Sequence, residues 1–315
     1  MKTEVLCIGN ASYDIYFPMP AYPREDEKYV VEEFLEACGG PASNAAYLLG
    51  LWGVQCGFAG LVGNDVYGKT IAEEFHKIGV DTELLEVRSN HFTPLSCVIT
   101  NSTTGSRTIL NRQKRGAVMT LDRNALAKKN PQFLLFDGHE YEASRAALRF
   151  FPNAVSVMDA GSLRPETQEL AGSVTHLLCS GRFACDMAGL PDAVTDADLV
   201  SCSNRLSRLN PNPGCFSMGD RGLVFWEEDA VWHLPAFTVQ SVDTTAAGDI
   251  FHGAFLFSLQ RGKPFRDGLL FGAAAAALST ETPGGRSSVP SVDQVKGFVE
   301  DHENRGTLPV PRLLS

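Results

Sequence analysis

Short apolar runs rich in Val, Ile, Leu and Phe alternate along this chain with longer stretches of helical period. The runs predict strands at Val5–Gly9, Gly57–Val62, Phe133–Phe136, Val155–Met158, His176–Cys179 and Cys215–Met218. The stretches between them predict helices at Ser43–Leu51, Gly68–Ile78, Ala143–Phe150, Asp196–Arg208, Asp249–Gln260, Asp267–Thr280 and Val292–Asp301. A strand that is apolar at nearly every position has both faces covered, and strand–helix alternation supplies the crossovers of a parallel sheet. The pattern therefore predicts one α/β domain over residues 1–315, three-layered, with a mainly parallel central sheet. Ligands of such sheets bind beyond the carboxyl ends of the strands.

Two regions break the rhythm. Residues 13–38 hold prolines, acidic residues and a strand-like KYVVEEFLEA. Residues 93–111 read as a hairpin, LSCVIT then RTILN, with NSTTGS as the turn. Neither contains a crossover helix. The two pieces are expected to pair as a small projecting sheet, a lid able to exclude water from the strand ends.

Composition narrows the partners. A net charge of -10 and the lack of a basic stripe argue against a nucleic-acid partner. No stretch approaches the length of a membrane span, and MKTEVLCIGN does not read as a signal peptide, so a cytoplasmic location is expected. The eight cysteines form no C-x-x-C pair and several sit in strand patterns, which predicts free thiols in a reducing compartment.

The chemistry concentrates at VDTTAAGDIFHGAF, residues 242–255, led by a strand-like FTVQSV and leaving as an apolar helix. The small side chains of Thr244 to Gly248 let a ligand approach the backbone. The first amides of a helix lack intrahelical acceptors, and the dipole there favours negative charge. Ala246, Ala247 and Gly248 thus read as an anion hole for a phosphoryl group in transit. Asp249 stands at its mouth, able to accept the proton of an attacking hydroxyl; the plainer reading is a helix cap.

DTTAAGDIFHGAF resembles the C-terminal signature of the ribokinase/PfkB family of sugar kinases. Gly39-Gly40-Pro41-Ala42-Ser43-Asn44-Ala45-Ala46 is similar to the family's N-terminal motif, and Gly9, Asp14, the stretch Val62–Gly68 and Ser217–Gly222 extend the resemblance over most of the chain. It implies a ribokinase-like fold and transfer of a phosphoryl group from ATP, with Mg2+, to a sugar hydroxyl. It implies Asp249 as base and the amides of Ala246, Ala247 and Gly248 as anion hole. Asp14, Gly39, Gly40 and Asn44 would hold the substrate; Ser217, Gly219, Gly222, Ala274 and Gly285 would lie along the nucleotide. Asp243 and Thr245 match positions that bind a monovalent cation, such as K+, in some members. The family's N-x-x-E element is replaced here by Ser180-Gly181-Arg182-Phe183, so magnesium support must differ, and His252 replaces a common Asn, reading as a packing or capping histidine.

Rivals stay open. Gly63-Asn64-Asp65-Val66-Tyr67-Gly68-Lys69-Thr70 satisfies the P-loop pattern, and FLLFD ending at Asp137 could pass for a Walker B strand. Gly9–Asp14 lacks the dinucleotide fingerprint. A nucleoside kinase of the same fold, or a non-catalytic regulator on it, also fits. The Thr282–Arg286 stretch, Lys28-Tyr29-Val30 and Ser180–Phe183 look most like the branch of sulfofructose and ketose kinases, although His139 stands where that branch leads one to expect arginine. Asn111, Arg112, Lys114 and Asp137-Gly138-His139 are candidate readers of the substrate's far end; Arg286 either contacts phosphates or closes a loop; Asp159 and Arg164 would form a buried pair. The lid's free strand edges suit a homodimer.

Overall fold

In this computed structural model the described residues are 3–32, 34–101, 103, 107–113 and 116–315. The chain opens with β1 (Val5–Ile8), then β2 (Ser12–Met19), β3 (Leu35–Gly39), α1 (Pro41–Leu51), β4 (Cys56–Gly63), α2 (Val66–Lys77) and β5 (Leu85–Arg88). It continues through β6 (Leu95–Asn101), β7 (Arg107–Arg112), α3 (Arg123–Ala127), β8 (Phe133–Phe136), α4 (Tyr141–Phe150), β9 (Val155–Ala160) and α5 (Pro165–Ala171). After β10 (His176–Ser180) come α6 (Gly181–Ala188), α7 (Asp196–Leu209), β11 (Gly214–Ser217), β12 (Leu223–Glu227) and β13 (Ala230–Leu234). The last elements are α8 (Ala247–Gln260), α9 (Phe265–Ser279), α10 (Val292–Asn304) and β14 (Arg312–Leu313).

Among the described residues a ten-stranded sheet runs β14-β13-β12-β11-β10-β9-β8-β1-β4-β5. Every pairing from β11 to β5 is parallel, and β12, β13 and β14 add antiparallel pairings at the other end. Side-chain alternation sorts the core. Val5 and Cys7 of β1 join α1, α2, α8, α9 and α10 on one face, while Leu6 and Ile8 join α3 to α7 on the other. This is the three-layer arrangement the apolar strands require.

Chain order reverses around β1, which pairs with β4 on one side and β8 on the other. The crevice beyond that switch point is where such a sheet binds ligands. A buried carboxylate staples it. Asp137, just past β8, accepts the amides of Asn10 at 2.8 Å, Ala42 at 3.1 Å and His139 at 2.9 Å. The ends of β1 and β8 and the start of α1 are thereby tied to one side chain.

A second sheet, four-stranded, has the order β3-β2-β6-β7. It is built from the two segments that break the sequence rhythm. Among the described residues of KYVVEEFLEA only the end is strand, within Leu35–Gly39. FTVQSV, residues 237–242, is not a strand. The edge of β13 it could have joined is taken by β14, and Phe237 instead packs against Phe298 and His302 of α10. Strands β5, β12, β13 and β14 and helices α3, α5 and α6 have no counterpart among the elements expected from the apolar pattern. All eight cysteines are free thiols. No helix among the described residues is long and apolar enough to cross a membrane.

Candidate active site

Helix α8 begins at Ala247 after Ala246, whose φ of 59° is left-handed and unusual for a residue with a Cβ. That kink turns the chain from the Thr244 side into the helix. The Ala247 amide reaches Thr244 O at 3.3 Å, and Ile250 closes a helical bond onto Ala246 O at 2.9 Å. The amides between them belong to the first helical turn, where no intrahelical acceptor is in reach. A Cβ added to Gly248 would meet nothing within 4 Å, so the backbone here faces open space.

That space is one end of a cleft of about 570 Å³. Its walls include Ser217 at the end of β11, Gly219 and Gly222 beyond it, the 235–239 segment, Phe251 of α8, Ala273, Ala276 and Ala277 of α9, and Thr280 just past that helix. The α9 residues recur at helical spacing and form one face. Ala274, the alanine assigned to the nucleotide from sequence, is fully buried and turned to the core instead. Gly285 lies beside the Thr245–Ala246 turn and not in the cleft, its Cβ position 3.5 Å from Thr245. The segment misread as a strand supplies Phe237, Thr238 and Val239 to the wall, a role that its alternating pattern conceals.

Asp249 is half-buried at the mouth of the helix. Its Oδ2 accepts a 2.6 Å hydrogen bond from Asn44 Nδ2 of α1. Burial first, then the nearby Asp159 carboxylate, push Asp249 up to about 7, against the lowering effects of Asn44 and His252. Asp159 of β9 is likewise raised to about 7 by burial and then by Asp137. Its neighbour is His252, with Nδ1 at 3.3 Å, and not Arg164, whose guanidinium bonds Gly138 O at 3.2 Å. His252 Nδ1 also lies 2.6 Å from Gly248 O, one turn back, and burial lowers its pKa. Burial alone would raise Asp137; the His139 charge and the bonded amides outweigh it and hold it low, while Asp137 in turn raises His139.

Asp14 sits on β2 beneath the same crevice. A Cβ on Gly39 would fall 2.1 Å from its Oδ2, and Gly40, at φ 97°, would strike Asn10 O at 2.4 Å. The glycine pair thus lets β3 pass close to both β2 and β1 before α1 starts. Burial raises Asp14; Ser96, Ser12 and Tyr16 counter by hydrogen bonding to it. Register places Asp14 opposite Ser96 and Ser96 opposite Asn111, so the three form a row across the small sheet. Arg112, next in β7, faces the other way. Its guanidinium bonds Thr93 O at 3.3 Å and covers the Phe92 ring at 4.6 Å. The structure therefore separates Arg112 from Asn111, as period-two alternation demands. Lys114 lies outside the described residues. Arg286 turns inward instead of toward the cleft. Asp243 accepts the Thr245 amide at 2.9 Å and the Gly284 amide at 2.8 Å, tying the loop before α10 to the turn that leads into α8.

The P-loop pattern does not form a phosphate cradle. Asp65 caps α2 from within it, accepting Gly68 N at 2.9 Å, while Thr93 N bonds its other oxygen at 2.9 Å. The carboxylate fills the position a phosphate would need, and Lys69 is exposed. Strand β8, the supposed Walker B, borders β1 and not β4.

The pfkB family carbohydrate kinase model matches residues 2–292. The chain belongs to the pfkB family of carbohydrate kinases. Among its relatives, ribokinase of Haemophilus influenzae is 22% identical over 308 residues, covering 95% of this chain and 99% of that protein. Aminoimidazole riboside kinase of Salmonella typhimurium is 24% identical, covering 95% and 96%. The structure of Arabidopsis thaliana ribokinase, complexed with ribose and ATP, superposes with a TM-score of 0.81 at 22% identity, covering 95% of this chain and 99% of that one. As a pfkB kinase the chain is a phosphotransferase of ribokinase-like fold. Asp159 does not stand out in the sequence as a neighbour of Asp249, because its strand context looks like core; the histidine one turn past Asp249 is the signal that points to it.

Proposed function

We propose that the protein phosphorylates the primary hydroxyl of a small furanose-type sugar, ketose or close derivative with ATP. The observation that carries this reading is the Asp249 carboxylate, held by Asn44 at the point where the cleft opens onto the first amides of α8. The cleft has the volume and glycine- and alanine-rich lining for a nucleotide, with Ser217, Gly219 and Gly222 along one wall and Ala276 and Ala277 on the other. Magnesium on ATP neutralises phosphate charge. No N-x-x-E pair helps here: Ser180 caps α6 by accepting Phe183 N at 3.0 Å, and Arg182 is exposed.

Asp14 and Asn44 are placed to orient sugar hydroxyls, with Gly39 and Gly40 leaving room above them. Asp249 accepts the hydroxyl proton as the sugar oxygen bonds the γ-phosphorus. The bond from that phosphorus to the β–γ bridging oxygen breaks, and ADP leaves. The α8 amides stabilise charge on the three equatorial oxygens. The small sheet acts as the lid. A monovalent cation on Asp243 and Thr245 would brace the anion-hole loop. The lid's outer edges suit pairing with a second copy, and a cytoplasmic location, with its ATP supply, fits.

The test is magnesium-dependent ADP release across a panel of sugars, nucleosides and sugar acids, with and without K+. One sugar should stimulate turnover strongly; the panel also decides between ribose-like, ketose and sulfonated substrates and a nucleoside. Lys69→Ala should keep at least about half the activity, since Asp65 caps the helix where a phosphate would sit and Lys69 points to solvent; loss of turnover would restore the P-loop reading. The pH profile supplies a second check. Asp249 works as a carboxylate and is held up at about 7, so kcat/KM should fall about tenfold per unit below pH 7 and level off above it. A limb near pH 4, the ordinary carboxylate value, would mean that burial does not raise Asp249.

A further inference from the structure

Arg286 follows Gly284-Gly285 in the loop between α9 and α10, and it is more than nine-tenths buried. A buried guanidinium needs partners for its donors. Nη1 meets Glu74 Oε2 of α2 at 2.6 Å, Nη2 meets Ser43 Oγ at 2.5 Å, and Nε meets Asn44 Oδ1 at 3.1 Å. The rings of Tyr47 and Phe75 lie 4.9 and 5.2 Å from its central carbon. The fork is thus fixed on every side, and one tooth of it rests on the residue that touches the candidate base.

We propose that Arg286 is a positioning residue: it pins the Asn44 amide so that Nδ2 faces Asp249 and donates to its carboxylate. The inference rests on the reading of Asp249 as the base. Its logic is the chemistry of donors. A guanidinium has no acceptor, so only the carbonyl oxygen of Asn44 can face it. The amide group is planar, and its nitrogen must then point the opposite way, to Asp249 at 2.6 Å. Without Arg286 the amide is free to rotate by half a turn, and its carbonyl would confront a carboxylate. A carboxylate that loses a donor, or gains a carbonyl dipole, holds its proton more tightly.

Other groups face Asp249 as well: Asp159 from β9 and Asp137 beyond β8 oppose its ionisation, and His252 on its own helix favours it. The Arg286 fork donates to Glu74, Ser43 and Asn44 and to none of these three, so they form a constant background to the substitution. Arg286 bears in addition on Asp14 and Cys38, whose ionised forms its charge favours.

The experiment follows the Asp249 carboxyl directly, by carbon-13 NMR of aspartate-labelled protein without substrate, the signal assigned by its loss in Asp249→Asn. Arg286→Met leaves Glu74 unpaired in a half-covered site and is at risk of misfolding. The paired substitution Glu74→Met with Arg286→Met removes one charge of each sign, so the change cannot come from net charge, and apolar replacement of a buried pair is commonly tolerated. The midpoint should rise by about one unit from its wild-type value. Asn44→Ala should raise it by a similar amount, and the triple variant should rise no further, because both act through one hydrogen bond. A midpoint unchanged in the paired variant, or effects that add in the triple, overturns the proposal. Failure of the base reading would show separately, as turnover retained by Asp249→Asn.

Discussion

Asp249→Asn should abolish turnover and, above pH 7, make the protein harder to melt. The kinetic half follows from the loss of a general base, which contributes about 10²–10⁴-fold. The stability half follows from the raised carboxyl. Its ordinary value is 3.8, and in the fold it is pushed up to about 7. A group raised in the folded state favours folding while protonated, and that contribution is lost as pH rises through the folded value. At pH 8.5 the wild type therefore carries a half-buried ionised group that the amide lacks. A carboxyl raised that far costs about 4 kcal/mol at most when ionised; with partial exposure and the shared Asp159 neighbour, about 1–3 kcal/mol is expected. Melting curves should show Asp249→Asn roughly 1.5 to 4.5 °C above wild type at pH 8.5, with the gap narrowing as pH falls below 7 and closing only near pH 4. Equal melting temperatures at pH 8.5 would mean that the carboxylate is well solvated.

Gly248→Val separates folding from function in the other direction. Nothing lies within 4 Å of a Cβ at this position, so a side chain costs the empty protein little. The methyl groups would stand in the proposed anion hole, over the amides assigned to the phosphoryl group. Turnover should fall by at least about 10²–10³-fold, the scale of losing oxyanion donors, with the melting temperature within about 2 °C of wild type. A variant that melts early would place strain at Gly248 instead of open space; a variant that turns over normally would move the phosphoryl site elsewhere.

Much of this architecture is legible in the sequence. The parallel strands announce themselves because each must be apolar on both faces, as Val5–Ile8 and Phe133–Phe136 are. Asp249 and the small residues before it stand out because a helix entry free of bulk leaves its first amides open to a ligand. What stays hidden is set by tertiary context. The β12–β13 hairpin turns on Glu228 and Asp229, both at positive φ, where Asn-Gly would have signalled the turn. Residues 237–242 alternate like a strand yet serve as cleft wall and as packing for α10. Arg286 reads as a phosphate contact or a loop closer because nothing in GGR reveals that its partners lie on α1 and α2, 212 to 243 positions away.

The central position of β1 also bears on how the chain is made. Val5 pairs with Cys56 on one side and with Phe133 on the other. At about 5–20 residues per second, roughly 6 to 26 s separate the synthesis of β1 from that of its second neighbour. During that interval a strand destined to be buried on both faces has one edge unsatisfied on the ribosome. Slow stretches of translation before residue 133 would lengthen the exposure, so the yield of folded protein is expected to fall when translation of that stretch is slowed.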